Sequence, residues 1–331
     1  MIDLTTNYLG LTLKNPLVPS SSPLTANIDD AKRLEDAGAS AIVLPSLFEE
    51  NIHYEQKQLE KYIHSQALGN YETDSFHPVP DDYNGELDNY LEHLHAVKES
   101  LDIPVIASLN GVSDSGWLEY GKGLEQAGAD ALELNVYYIS ADPEQSSEVV
   151  EQRYLSLLCN LRQHVDIPIA MKLSSQFSSV SHMVKKLQQA GAEGVVLFNR
   201  FYQPDINLET LHIKPQIELS NPAEALLRIR WLALIRNHVD LSLAATGGFH
   251  TVESIIKALL AGADVVYLCS VLLNKGPEYC SQLLQQLTDW LTEREYESVQ
   301  QMQGSLNQSC ALDPVAYEHS NYIDVLKSYR P

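Results

Sequence analysis

Four times in this chain a helix-like segment ends on Ala-Gly-Ala and runs straight into a short apolar stretch. Leu34-Glu35-Asp36-Ala37-Gly38-Ala39 leads into Ala41-Ile42-Val43-Leu44, and Leu124-Glu125-Gln126-Ala127-Gly128-Ala129 leads into Ala131-Leu132-Glu133-Leu134. The pattern returns at Leu187-Gln188-Gln189-Ala190-Gly191-Ala192 and at Leu259-Leu260-Ala261-Gly262-Ala263. A Gly just past a helix takes the left-handed conformation that closes the last turn. A strand that is apolar along its whole length is one buried on both faces, as in a parallel sheet between helices. The repeat therefore demands alternating helices and parallel strands.

A second unit falls between these. Leu101-Asp102-Ile103-Pro104-Val105-Ile106-Ala107 resembles Val165-Asp166-Ile167-Pro168-Ile169-Ala170, and Val239-Asp240-Leu241-Ser242-Leu243-Ala244 follows the same plan. Pro is tolerated at the first residue of a strand, outside the hydrogen-bond ladder. With Pro16-Leu17-Val18-Pro19, eight strands are predicted, at 16–20, 41–46, 104–109, 131–136, 168–173, 194–199, 241–246 and 264–269. Helical patterns lie at 28–36, 87–100, 115–126, 145–164, 180–189, 223–237 and 252–260. Such alternation reads as an α/β fold, a (β/α)8 TIM barrel, with a doubly wound open sheet as the alternative. No Pro/Gly/Ser-rich linker divides the chain, so a single barrel domain at 1–302 and a polar tail at 303–331 are expected. Two segments exceed ordinary connections: 47–84, with turn signals at Gly69-Asn70-Tyr71 and His77-Pro78-Val79-Pro80, and 200–221. Both follow strand C-termini, where barrels build their sites, so they read as long top-face loops.

Charge removes several function classes. With 22 Lys and Arg against 44 Asp and Glu, the net charge is −22. A general basic surface for nucleic acid is excluded, and an acidic membrane surface would repel the chain. No run of 18 apolar residues occurs, and Met1-Ile2-Asp3-Leu4-Thr5-Thr6-Asn7 has no signal-peptide character, so a cytoplasmic protein is expected. The four cysteines, at 159, 269, 280 and 310, have neither zinc nor iron–sulfur spacing, and no metal site is predicted.

In a barrel the last residues of each strand face the site. Strand 3 closes on Asn110, strand 4 on Glu133-Leu134-Asn135, strand 5 on Lys172, strand 6 on Asn199, strand 7 on Thr246-Gly247-Gly248 and strand 8 on Cys269-Ser270. No Asp/Glu pair suited to glycoside hydrolysis is among them, nor a His or carboxylate set for metal hydrolysis. Gly247-Gly248 and Ser270 stand where barrels hold phosphate on backbone N–H groups. Lys172 is the lone cation of these strand ends. It suits the electron-rich edge of a flavin, an ion pair with Glu133, or a Schiff base of aldolase type. Asn135 and Asn199 suit a planar heterocycle.

These motifs resemble the dihydroorotate dehydrogenase family, whose soluble members are FMN-containing (β/α)8 barrels. The resemblance runs from Leu9-Gly10-Leu11-Thr12-Leu13-Lys14-Asn15-Pro16 to about Tyr296. It rests on Asn15-Pro16 with its small-residue turn, Glu133-Leu134-Asn135, Lys172, Asn199, Ala245-Thr246-Gly247-Gly248 and Tyr267-Leu268-Cys269-Ser270. It implies an FMN-dependent oxidoreductase acting on CH–CH bonds, converting dihydroorotate to orotate in pyrimidine biosynthesis. It implies FMN held by Ser20, Ser21, Ser46, Asn135, Lys172, Asn199, Gly247, Gly248, Cys269 and Ser270. A small anionic substrate would meet Asn84, Asn135, Asn199 and Arg200. A homodimer is implied, with a redox partner protein as a further option.

The sequence also departs from the family. The family's Cys or Ser base lies three residues after the strand-4 Asn, where this chain has Tyr138, with Ser140 the second candidate if the loop is shifted. Tyr138 reads as a base, as a substrate-contacting ring or as loop packing. Pro45 replaces the family's Lys after strand 2, Arg200 its Ser after strand 6, and Leu219-Ser220-Asn221-Pro222 its second Gly pair. Three readings follow: a dihydroorotate dehydrogenase, a flavin barrel for another small anion or an electron-relay subunit, and a Lys172 aldolase.

Overall fold

The structure, a computed structural model, describes residues 2–67, 84–111, 117–318 and 326–327. Eight parallel strands form one sheet: β1 Leu17–Pro19, β2 Ile42–Phe48, β3 Val105–Asn110, β4 Ala131–Asn135, β5 Ile169–Leu173, β6 Gly194–Leu197, β7 Ser242–Thr246 and β8 Val265–Leu268. Each pairs with the next in sequence from β2 to β8, and β8 pairs with β1. The seam between β1 and β2 is bridged by Ser40, whose N–H donates to Leu17 O at 3.1 Å. This is the expected TIM barrel, nearly closed, and not an open sheet. The register in β2 shifts between Val43 and Ser46, around Pro45, which has no N–H for the ladder.

Helices follow the strands outside: α1 Ile28–Asp36, α2 Glu86–Ser100, α3 Trp117–Gln126, α4 Ser147–Arg162, α5 Val180–Gln189, α6 Ala225–Ile235, α7 Val252–Ala261 and α8 Tyr279–Glu293. The four repeat glycines, Gly38, Gly128, Gly191 and Gly262, have φ of 99°, 99°, 98° and 122°, the turn that only Gly makes cheaply. Helix α8 was not among the predicted helices. It follows a short helix, Ser270–Lys275, and its apolar stripe of Cys280, Leu283, Leu287 and Leu291 is buried. The 47–84 segment is not loop throughout. Helix Glu49–Ala67 fills its first part, and both turn signals lie outside the described residues.

The N-terminus explains why one end of the barrel carries the site. Thr6–Tyr8 and Leu11–Leu13 form a hairpin whose turn residues, Leu9 and Gly10, have φ of 54° and 74°. The left-handed Leu9 costs about 1 kcal/mol. That cost is offset by burial, because Leu9, Tyr8 and Leu13 pack with Val18, Val43, Ile106, Ala131, Ala170, Val196, Ala244 and Val265 inside the barrel. Leu9 N–H donates to Ser242 Oγ at the start of β7 (2.9 Å), so the hairpin plugs the N-terminal end of the strands. Among the described residues, the polar strand ends at the C-terminal side are not covered by this hairpin. After Met302 the chain runs back over α6 and α7: Leu306 N–H donates to Leu260 O and Gln308 N–H to Ala233 O. No helix among the described residues is long and apolar enough to cross a membrane.

Candidate functional site

Side chains alternate along a strand, so residues two and four after an interior position also point inward. Above Ala131 this places Glu133 and Asn135, above Ala170 it places Lys172 and Ser174, above Ile106 it places Ser108 and Asn110. Above Val18 and Ala244 it places Ser20 and Thr246. Apart from Asn135, which is half-buried, all of these polar residues are buried. The barrel interior is thus apolar where the hairpin plugs it and polar at the strands' C-terminal end.

Lys172 stands at the centre of this polar layer. Its Nζ donates to Glu133 Oε1 at 3.0 Å, and it lies in register with Asn135 on β4. Of the three uses open to Lys172 at the sequence level, the ion pair with Glu133 is present in the structure. Glu133 is fully buried, and its Oε2 has no hydrogen-bond partner among the described residues. Asn199 Nδ2 donates to Asn135 Oδ1, joining the ends of β4 and β6. Below them the Tyr8 and Tyr267 hydroxyls share a hydrogen bond of 2.9 Å. Burial pushes both phenols well above their ordinary range, with the Glu133 charge adding to it and, for Tyr267, the Tyr8 hydroxyl ahead of Glu133. These tyrosines are a neutral floor and not acids at physiological pH.

The β7–β8 side is a knot of backbone and hydroxyl groups. Gly247 and Gly248 have φ of 91° and 89°. A Cβ on Gly247 would lie 2.9 Å from Arg228 Nη2, and one on Gly248 only 2.3 Å from Ala225 N. Packing on α6 therefore accounts for both glycines without a ligand. Gly248 N–H donates to Ser220 Oγ (3.2 Å), Ser220 N–H donates to Ser270 Oγ (3.0 Å), and Ser220 Oγ lies 3.1 Å from His250 Nε2. Ser220 so ties the end of the 200–221 segment to both phosphate-type turns. Cys269 donates to Ser21 O at 3.8 Å, and burial raises its thiol pKa, against the opposing pull of Lys172. Ser20 N–H donates to Leu268 O. The structure brings these groups from β1, β7 and β8 together. Ser220, His250, Glu224 and Arg228 were missed. The signal for Arg228 was there, as a charge on the buried stripe Ala225, Arg228, Leu232, Ala233, Ile235.

The β2, β4 and β6 side differs. Tyr138 donates to Gln145 Oε1, and the Arg153 guanidinium sits 4.0 Å over its ring. Ser140 is exposed and reaches the same Gln145 oxygen at 3.4 Å. Tyr137 packs edge-on against Phe201 with centroids 4.4 Å apart, and its hydroxyl accepts from Tyr202 N–H at 3.0 Å. Arg200 is engaged by Glu224 Oε2 (3.2 Å) and by Glu218 O. Within the segment after β6, Asp205–Asn207 pairs with His212–Lys214 in a hairpin that leaves Ile206, Leu208, Leu211 and Ile213 exposed. Ser46 bonds Ser108 (2.7 Å), and the Tyr90 hydroxyl donates to Pro45 O (2.7 Å). Asn84 is exposed at the start of α2, and its amide donates to Glu92 Oε1. Its contacts lie along α2 and not with the strand-end group.

The donor set fits FMN. A buried ammonium and two amides at strand-end height suit the polar edge of a planar ring. At the β7–β8 turns the Ser270 hydroxyl, which accepts from the Ser220 N–H, keeps its own proton for a phosphate, while the Gly248 N–H is bonded within the turn to Ser220 Oγ. No group of three or more His, Cys, Asp or Glu residues able to hold a metal occurs among the described residues.

Comparison with known proteins points to one family. The family model for dihydroorotate dehydrogenase matches residues 83–291. The chain is 24% identical over 317 residues to the catalytic subunit of dihydroorotate dehydrogenase B (NAD(+)) from Thermoplasma acidophilum, covering 92% of this chain and 99% of that protein. It is 28% identical over 279 residues to dihydroorotate dehydrogenase A (fumarate) from Lactobacillus delbrueckii subsp. bulgaricus, covering 80% and 86%. It is 23% identical over 321 residues to the B-type catalytic subunit from Methanothermobacter thermautotrophicus, covering 91% and 97%.

Proposed function

The chain belongs to the dihydroorotate dehydrogenase family, and from that premise we propose that it is an FMN-dependent oxidoreductase acting on dihydroorotate or a closely related small anion. The observation that carries this reading is the strand-end group of Lys172, Glu133, Asn135 and Asn199. Bound FMN would supply the two-electron acceptor. Lys172, Asn135, Asn199 and Ser20 would hold its ring side, with Ser46 and Ser21 at the periphery. Gly247, Gly248, Cys269 and Ser270 would hold its phosphate end, joined by Ser220. Lys172 contributes a positive charge fixed in place by Glu133, which favours the electron-rich form of a ring beside it. The same ion pair disfavours the aldolase reading, since an amine must be neutral to attack a carbonyl.

Tyr138 stands at the family's base position, but its hydroxyl is spent as a donor to Gln145. It is assigned to holding the loop after β4, with Ser140 beside it. Arg200 shares Glu224 with Arg228, so Asn135 and Asn199 are left as the substrate's polar partners, with Arg200 at the rim; Asn84, bonded along α2, is kept as a partner on the family resemblance alone. This rearrangement supports the second reading, a flavin barrel with a different small anion or a relay role with a redox partner. A cytoplasmic homodimer working in pyrimidine biosynthesis is the family-based expectation.

The test is anaerobic mixing of the purified flavoprotein with dihydroorotate. Bleaching of the flavin with orotate formed in equal amount supports the first substrate. An unbleached flavin, with no orotate whichever acceptor is added, transfers the proposal to another anion.

A further inference from the structure

Arg228 is a buried guanidinium in the middle of an otherwise apolar helix face, with 6% of its surface exposed. Such a charge is costly unless its donors are used. Its Nε donates to Thr246 O (3.0 Å) and its Nη1 to Glu224 O (2.9 Å). Its Nη2 lies 3.7 Å from Glu224 Oε2, the same oxygen that Arg200 Nε contacts at 3.2 Å. Two permanent cations therefore share one carboxylate, leaving one positive charge in excess directly behind the Gly247–Gly248 turn. This occurs in a chain whose net charge is −22.

The bond to Thr246 O has a directional effect. In a trans peptide the C=O and the following N–H point in opposite directions. Drawing Thr246 O toward Arg228 turns the Gly247 N–H to the opposite side of the turn, away from α6. Gly247 has no Cβ, and one would meet the guanidinium at 2.9 Å, so the turn sits flat on the cation.

We propose that Arg228 is a positioning residue for the anion end of the site, orienting the Gly247–Gly248 turn and placing net positive charge behind it, so that the protein selects a phosphorylated flavin over the unphosphorylated one. This rests on the flavin reading above. Glu224 sets the size of the effect, because it neutralises one of the two cations. Arg228 itself would touch no ligand atom.

The test compares FMN and riboflavin binding to the flavin-stripped full-length protein, by quenching of flavin fluorescence. Arg228→Met is expected to weaken FMN by about tenfold or more while riboflavin changes less than about twofold, with Arg228→Lys in between. An FMN-to-riboflavin ratio unchanged in Arg228→Met overturns the proposal. Glu224→Gln provides an independent arm should Arg228→Met not fold. It keeps an oxygen for the Asn221 N–H, removes the neutralising charge, and is expected to raise the ratio. A ratio that stays level or falls in Glu224→Gln overturns the proposal too. Wild-type protein that binds neither flavin overturns the flavin reading itself, a result distinct from loss of selectivity.

Discussion

The two sides of the barrel mouth are fastened in different ways. On the β7–β8 side, the backbone is bonded to buried or half-buried groups: Ser220 to Gly248 and Ser270, Arg228 to Thr246, Cys269 to Ser21. On the β4–β6 side most of the fastening is by side chains near the surface: Tyr138 to Gln145, Arg200 to Glu224, and the Tyr137 hydroxyl to the Tyr202 N–H. A mouth fastened through its backbone keeps its geometry when side chains change. A mouth fastened through side chains is remade by each substitution. In the proposed reading the backbone-fastened side is the cofactor end, and Tyr138, Arg200 and Pro45 stand on the substrate side. Between the two lies the Lys172–Glu133 pair, which belongs to neither loop set.

Breaking that central pair should have the largest effect. Lys172→Met leaves the Glu133 carboxylate buried and unpaired, and is expected to cost about 3–5 kcal/mol in urea unfolding and to abolish flavin binding. The double variant Lys172→Met/Glu133→Leu is expected to regain most of the stability and none of the binding. A single variant that loses under about 1 kcal/mol would show that the pair is solvated and not buried. Next in size is the β4 loop. Tyr138→Phe removes one donor to Gln145 and should cost about 1 kcal/mol, with flavin reduction by substrate slowed less than about tenfold. A drop of about a hundredfold or more in stopped-flow traces would return Tyr138 to the role of base.

The smallest effect concerns pH on the β7–β8 side. Burial lowers the pKa of His250, with the Ser220 contact and Glu224 opposing and Lys275 reinforcing. Its folded pKa lies below the unfolded value of 6.5, so its neutral form contributes stability above that pH. The contribution is lost as pH falls through the folded pKa. The melting temperature of the native protein should thus decline more than that of His250→Gln between neutral pH and the acid side of 6.5. Parallel curves would show that His250 is freely solvated.

Much of the fold was legible because it is periodic. Helices 28–36 and 180–189 were read to the residue, and the Ala-Gly-Ala turns proved to be positive-φ glycines. Helix Glu49–Ala67 escaped because a segment so rich in Glu, Gln, Lys and His lacks the apolar stripe that periodicity needs. The N-terminal hairpin escaped because its strands are three residues long. In the site, Lys172, Asn135 and Glu133 were legible because strand alternation fixes where they point. Ser220 was not, because nothing local shows that it reaches Gly248, 28 residues away; Arg228 stands out as a charge on an apolar stripe, but its partner Thr246, 18 residues away, does not. That convergence is set by the path of the 200–221 segment over the barrel mouth.

The proposed function stands on a flavin site at the strand ends around Lys172 and the Gly247–Gly248 turn. It is tested most directly by the visible spectrum and flavin content of the purified protein. A yellow protein carrying close to one FMN per chain, released as FMN and not riboflavin on denaturation, is the expected result. A colourless protein that takes up no FMN when incubated with it would contradict the claim.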